Sequence, residues 1–252
     1  MDLKSNPASK FIDIHAHLSD PRLSSALPDL LPRLDGYIVL NAGENPADND
    51  RILSLENGNI LKCIGLHPNY ISSKGPDDIE LGISYLESNI SKAFALSEIG
   101  LDFKDKTDEQ KEIQVSAFRK MLELAEKHRK VCIIHSRKSM GVLTEILNSF
   151  RIKAIIHNFE GNSVDYNRCV EYGAGISVST GFIRFKKDSF LRRMDINFLF
   201  TETDSPVLSP DDKINTPLNI PKILKYIADI RNMDQNEIKD AVSLNFERFF
   251  HA

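Results

Sequence analysis

Apolar residues in this chain come in short, nearly unbroken runs, separated by longer stretches where apolar positions recur every three or four residues. The runs are Phe11–Ile14, Tyr37–Leu40, Leu61–Ile64, Ala93–Leu96, Val131–Ile134, Ala154–Ile156, Gly175–Val178 and Phe198–Phe200. They lack the polar alternation of a strand with one wet face. That pattern predicts eight strands buried on both sides, as in a parallel sheet covered by helices. Most of the gaps carry helix signals. Thr107 with Gln110 forms a capping-box pattern, and Ile113, Ala117, Met121, Leu124 and Ala125 follow on one face. His128-Arg129-Lys130 puts positive charge near that helix's C-terminus. Gly141 to Phe150 predicts another helix, Pro221 suits a first helical position, and Asp234 with Glu237 caps a last one.

Eight strands alternating with helices in 252 residues predict an α/β fold, a TIM-like (β/α)8 barrel. The expectation is a single domain over residues 1–252, with 1–9 as a flexible N-terminal segment. A doubly wound open sheet is the alternative, but its Gly-x-Gly-x-x-Gly turn after the first strand is absent. A hydrophobic share of 41% and a charged share of 27% are enough for a sizeable core. The net charge of −4 excludes a broadly basic nucleic-acid binder and leaves room for a local basic patch. Three distant cysteines, Cys63, Cys132 and Cys169, read as core thiols in a reducing cytosol. No apolar run reaches the roughly 20 residues of a membrane helix, and Met1 to Lys10 has no signal-peptide centre. A cytoplasmic protein with no obligate protein partner is expected.

Chemistry in such a barrel gathers at the C-terminal ends of the strands. The first run ends in His15-Ala16-His17, the third in Gly65-Leu66-His67-Pro68 and the fourth in Ser97-Glu98-Ile99-Gly100-Leu101-Asp102. The fifth ends in His135-Ser136-Arg137, the sixth in His157-Asn158 and the eighth in Thr201-Glu202-Thr203-Asp204-Ser205-Pro206. Only His128 and His251, of seven histidines, fall elsewhere. Imidazole and carboxylate are the ligands that Zn, Mn, Fe, Ni and, less well, Mg accept. Two divalent ions are expected: one on His15, His17 and Asp204, one on His135 and His157, with the two oxygens of Glu98 bridging them. Two ions about 3.5–4 Å apart activate a water and clamp the oxygens of a phosphoryl displacement.

These motifs, in this order and over almost the whole length, resemble the TatD family of metal-dependent deoxyribonucleases in the amidohydrolase superfamily. The match rests on Phe11 to Leu18, Gly65 to Pro68, Glu98 to Phe103, Ile134 to Arg137, Ile156 to Gly161 and Glu202 to Pro206. The resemblance implies a metal-dependent hydrolysis of phosphodiester bonds in DNA. It implies His15, His17, Glu98, His135, His157 and Asp204 as ligands, and Asp204 as the acceptor of the water's proton. It places His67 and Arg137 beside the scissile phosphate, where the Arg137 guanidinium can offer its planar fork. The chain departs from the family pattern in two loops. Lys104 to Thr107 is compact, and Asp211 to Pro217 lacks the arginine-rich stretch often seen there. Two other readings remain at this level: the same ions acting on a small ester, lactone or amide, and a non-enzymatic barrel scaffold.

Overall fold

The computed structural model describes residues 10–211 and 213–251; the segment expected to be flexible, 1–9, lies outside the described residues. Among the described residues there are eight strands: β1 (Phe11–Ala16), β2 (Tyr37–Asn41), β3 (Ile60–Ile64), β4 (Ala95–Asp102), β5 (Cys132–Arg137), β6 (Ala154–Ile156), β7 (Gly175–Ser179) and β8 (Leu199–Glu202). They form one sheet in strict chain order, β1 to β8. The ladders β1–β2, β3–β4, β4–β5, β5–β6 and β7–β8 are parallel. β8 returns to β1: the Thr201 hydroxyl donates to the Ile12 carbonyl at 2.7 Å, and Ala16 bridges to Ser205. Sequential order with closure is the arrangement of a (β/α)8 barrel, and it excludes the doubly wound alternative, whose order reverses.

Two compact units can be told apart. One holds the described residues up to Asn41, Glu56–Leu61 and those from Ile176 on; the other holds Ala42–Leu55 and Lys62–Gly175. In the first, the helix Ile220–Arg231 buries Ile220, Ile223, Leu224, Ile227 and Ile230. Each such side chain contributes about 1.5–3 kcal/mol of transfer free energy. In the second, the helix Asp108–His128 starts at the expected Thr107–Gln110 capping box and ends where Arg129 takes a left-handed conformation, φ 52°. Asp234 and Glu237 cap the helix Gln235–Phe250 as expected. The helix expected over 141–150 runs Met140–Leu147, and Pro221 is the second rather than the first residue of its helix.

The main departure concerns β4 and β5. The apolar runs predict strands that stop at Leu96 and Ile134; instead β4 continues to Asp102 and β5 to Arg137. The added length is held by the ladder itself, with Gly100 opposite His135, Leu101 opposite Ser136 and Asp102 opposite Arg137. Polar residues remain in a strand when a neighbour satisfies their backbone groups. All three cysteines are buried thiols, and burial pushes Cys63 and Cys169 up to about 12. Among the described residues no helix is long and apolar enough to cross a membrane.

Candidate metal centre

β1 delivers His15, and His17 follows one residue past its end. Their Nε2 atoms face each other at 3.1 Å. Asp204 lies two residues past β8, with its Oδ1 at 3.4 Å from His17 Nε2 and 3.8 Å from His15 Nε2. Backbone pairing holds this cluster together. The Asp204 amide donates to the His15 carbonyl at 2.9 Å, and the His17 amide donates to the Ser205 carbonyl at 2.7 Å. Asp204 takes a left-handed φ of 55°, which turns the chain sharply just past the strand. One ligand atom from each of the three residues lies within 4.8 Å of the others.

In the second unit, Glu98 is a hub. Its Oε1 stands 2.7 Å from His135 Nδ1, 3.0 Å from His157 Nε2 and 3.4 Å from His67 Nε2. His135 Nδ1 and His157 Nε2 are 3.1 Å apart. Glu98 sits mid-strand in β4, buried, and the close approach of its neighbours requires glycine. A Cβ on Gly65 would stand 2.5 Å from the Glu98 amide nitrogen; one on Gly100, whose φ is +143°, would stand 2.1 Å from the His135 carbonyl oxygen. Asp102, last in β4, places a carboxylate oxygen 3.7 Å from His135 Nε2. Burial works against the Asp102 charge, but His135 and the Lys104 amide outweigh it and hold the carboxyl below its ordinary range. Burial likewise opposes charge on His135, and the Asp102 and Glu98 carboxylates outweigh it and raise its pKa.

Each cluster fits a divalent ion. Nitrogen lone pairs and carboxylate oxygens crowd to hydrogen-bond distance in buried positions, where facing acceptors repel unless a proton or a cation lies between them. His67 is the N-cap of the helix Pro68–Ser72, and its Nδ1 accepts the Asn69 amide at 3.0 Å. A neutral His67 with Nδ1 accepting carries its proton on Nε2; with Glu98 and His135 it also forms a group that could hold an ion. Arg137 ends β5 exposed to solvent, and its charge is felt by the Asp102 carboxylate.

Sequence reasoning missed several supports. Asp13 lies two residues before His15 on the same strand, fully buried. Its carboxylate accepts the Thr203 hydroxyl at 2.6 Å, the Thr203 amide at 2.9 Å and the His15 amide at 3.3 Å. A charged residue inside an apolar run was the available signal. Asn215 gives no such signal. Buried, it donates to the Thr203 and Val207 carbonyls, each at 2.7 Å, and to the Thr180 hydroxyl at 2.8 Å. Both residues grip the loop that carries Asp204. Gln114 does the same for Asp102, accepting its amide at 2.8 Å and donating to its carbonyl at 2.9 Å.

Fold and donor chemistry together define a metal-dependent hydrolase on a TIM-like barrel. Residues 12–251 match the family described as TatD related DNase, and the chain belongs to that family. Among its relatives, an uncharacterized metal-dependent hydrolase of Methanocaldococcus jannaschii is 28% identical, with 96% of this chain and 97% of the relative covered. Human deoxyribonuclease TATDN3 is 26% identical over 95% of this chain and 94% of its own. The solved structure of YjjV, a TatD homolog from Escherichia coli, superposes with a TM-score of 0.86 at 25% identity, covering 97% of this chain and 99% of the other.

Proposed function

We propose that this chain is a DNase that hydrolyses phosphodiester bonds with two divalent ions. The observation that carries the reading is two donor clusters: His15, His17 and Asp204, with one ligand atom of each within 4.8 Å of the others, and Glu98 with His135 at 2.7 Å and His157 at 3.0 Å. Divalent ions held by these residues would lower the pKa of water and neutralise charge on phosphoryl oxygens. Glu98, with two carboxylate oxygens, would be one of their ligands. The Asp204 carboxylate takes the proton of the attacking water. The His67 Nε2–H donates to a phosphate oxygen, and Arg137 presents its fork to the same group. Membership of the TatD DNase family and the name of the human relative support DNA as the substrate. Three buried thiols, none in a disulfide among the described residues, support a cytoplasmic setting.

The test strips the protein with a chelator and reloads it with Zn, Mn, Mg, Ni or Fe in turn. Each preparation is offered single- and double-stranded DNA, with small esters, lactones and cyclic amides alongside. Metal-dependent DNA cleavage is expected, reduced roughly 100- to 10,000-fold in Asp204→Ala, the range for loss of a general base. Glu98→Ala is expected to remove turnover and lower the metal content while the fold survives. Loaded protein that leaves both DNA forms intact and hydrolyses a small ester would move the assignment to an amidohydrolase-type activity.

A further inference from the structure

The loop after β8 borders the Asp204 cluster, yet its stretch 207–217 carries one lysine against two aspartates. The positive charge lies in the loop after β7 instead. Between Arg184 and Arg193 the chain places Arg184, Lys186, Lys187, Arg192 and Arg193 against the single acid Asp188. The Tyr226 hydroxyl donates to Asp188, which draws that one negative charge toward the helix Ile220–Arg231. We propose that residues 184–187 form a docking lip for a single DNA strand, with phosphates on Arg184, Lys186 and Lys187 and a base stacked on Phe185. This rests on the reading that DNA is the substrate.

Four observations carry the proposal. The first is placement. The helix Gly181–Phe185 starts against the loop that holds Asp204: the Thr180 hydroxyl donates to the Leu208 carbonyl at 2.8 Å, and a Cβ on Gly181 would lie 3.4 Å from the Leu208 side chain. Arg184 follows Gly181 by three residues, about 4.5 Å of helix rise. The second is Phe185, which is 63% exposed and the one exposed Phe or Tyr among the described residues. Every base offers a π-face, so an exposed ring among cations is a stacking platform for a strand whose bases are unpaired. The third is Lys186, which holds a left-handed φ of 49°. Glycine or asparagine takes that position with less strain, so a lysine there keeps its charge at a conformational cost. The fourth is contrast. A chain with net charge −4 repels polyanions broadly, and a short basic lip is what admits one at a defined place. An acidic protein partner would use the charges but would leave the ring without a task.

Binding is read with the full-length, metal-loaded protein and a fluorescein-labelled, phosphorothioate-linked oligothymidylate that resists cleavage. An abasic strand of the same length serves as comparison. Phe185→Ala is expected to weaken the base-bearing strand about tenfold, within the range for base–aromatic stacking, and the abasic strand less than twofold. The triple variant Arg184→Gln, Lys186→Gln, Lys187→Gln is expected to weaken both strands. It should also reduce the slope of log affinity against log salt by about 2, roughly 0.7 per lost phosphate contact. Lys120→Gln, on the helix Asp108–His128, controls for the loss of charge alone. In turnover, the lip variants should lose more kcat/KM on the oligonucleotide than on bis(p-nitrophenyl) phosphate, by about tenfold. Variants that bind and cleave the strand like the parent would overturn the lip while the DNase reading stands. A parent that binds the strand through these residues but cleaves no DNA with any metal would keep the lip and overturn the DNase reading. Equal loss in Lys120→Gln would overturn the lip as well.

Discussion

Three donors converge on the Asp13 carboxylate, yet burial pushes its pKa up to about 8, with the Thr203 and His15 hydrogen bonds offsetting only part of the cost. Its ordinary value is 3.8, so folding takes up a proton between the two pKa values. A carboxyl raised on folding contributes its stability fully below about pH 4, and that stability is lost as pH rises toward 8. For protein kept metal-free with a chelator, urea midpoints should therefore fall between pH 5 and pH 8. The loss from this group alone is on the order of 3 kcal/mol, and Asp13→Asn should flatten it. An equal fall in the variant would show that another group sets the pH dependence. At the same scale, His67 shows what spacing leaves open. Its place after β3 was legible, but which nitrogen carries the proton depends on the Asn69 amide, which only the turn into the next helix supplies.

At the level of elements, the eight apolar runs located every strand, and capping residues located the helix starts at Asp108 and Gln235. Strand ends were less legible. Ser97 to Asp102 and His135 to Arg137 are too polar to read as strand, and they become strand because the β4–β5 ladder resumes past an irregularity after Leu96 and pairs Ile99 to Asp102 with Ile134 to Arg137. The loop after β8 was legible as a candidate for Asp204 but not for what steadies it. Asn215 stands eleven residues on and bonds three groups of that region. Asn215→Ala would leave two buried carbonyls without this donor, at about 1–3 kcal/mol each. A loss of roughly 3 kcal/mol in urea denaturation is expected, together with a lower metal content at equal protein concentration. Normal metal content in a destabilised variant would restrict Asn215 to a structural part.

For the whole molecule, ions that bind only the folded barrel must stabilise it. One ion at a hundredfold excess over its Kd contributes about 2.7 kcal/mol. For a chain of this size that corresponds to roughly 5–10 °C in Tm, so chelation should lower Tm by that amount per ion lost. His135→Ala and the pair His15→Ala, His17→Ala should each remove one increment, measured calorimetrically with and without added metal. A Tm indifferent to metal and chelator would count against ion binding at these clusters.

The sequence by itself determined the eight-strand pattern, the order of the chemistry-bearing residues and the types of side chain that could hold an ion, because burial periodicity and side-chain chemistry are local properties. It also carried the basic stretch 184–193 and the isolated Asp13 in plain letters. Tertiary structure decided which donors meet. The 2.7 Å approach of His135 to Glu98 depends on β4 and β5 lying side by side, with Gly65 and Gly100 leaving room. The grip of Asp13 and Asn215 on the Asp204 loop depends on β8 closing onto β1. Hydrogen bonds act over about 3 Å, and contacts between residues as much as 190 positions apart exist only once the chain has folded.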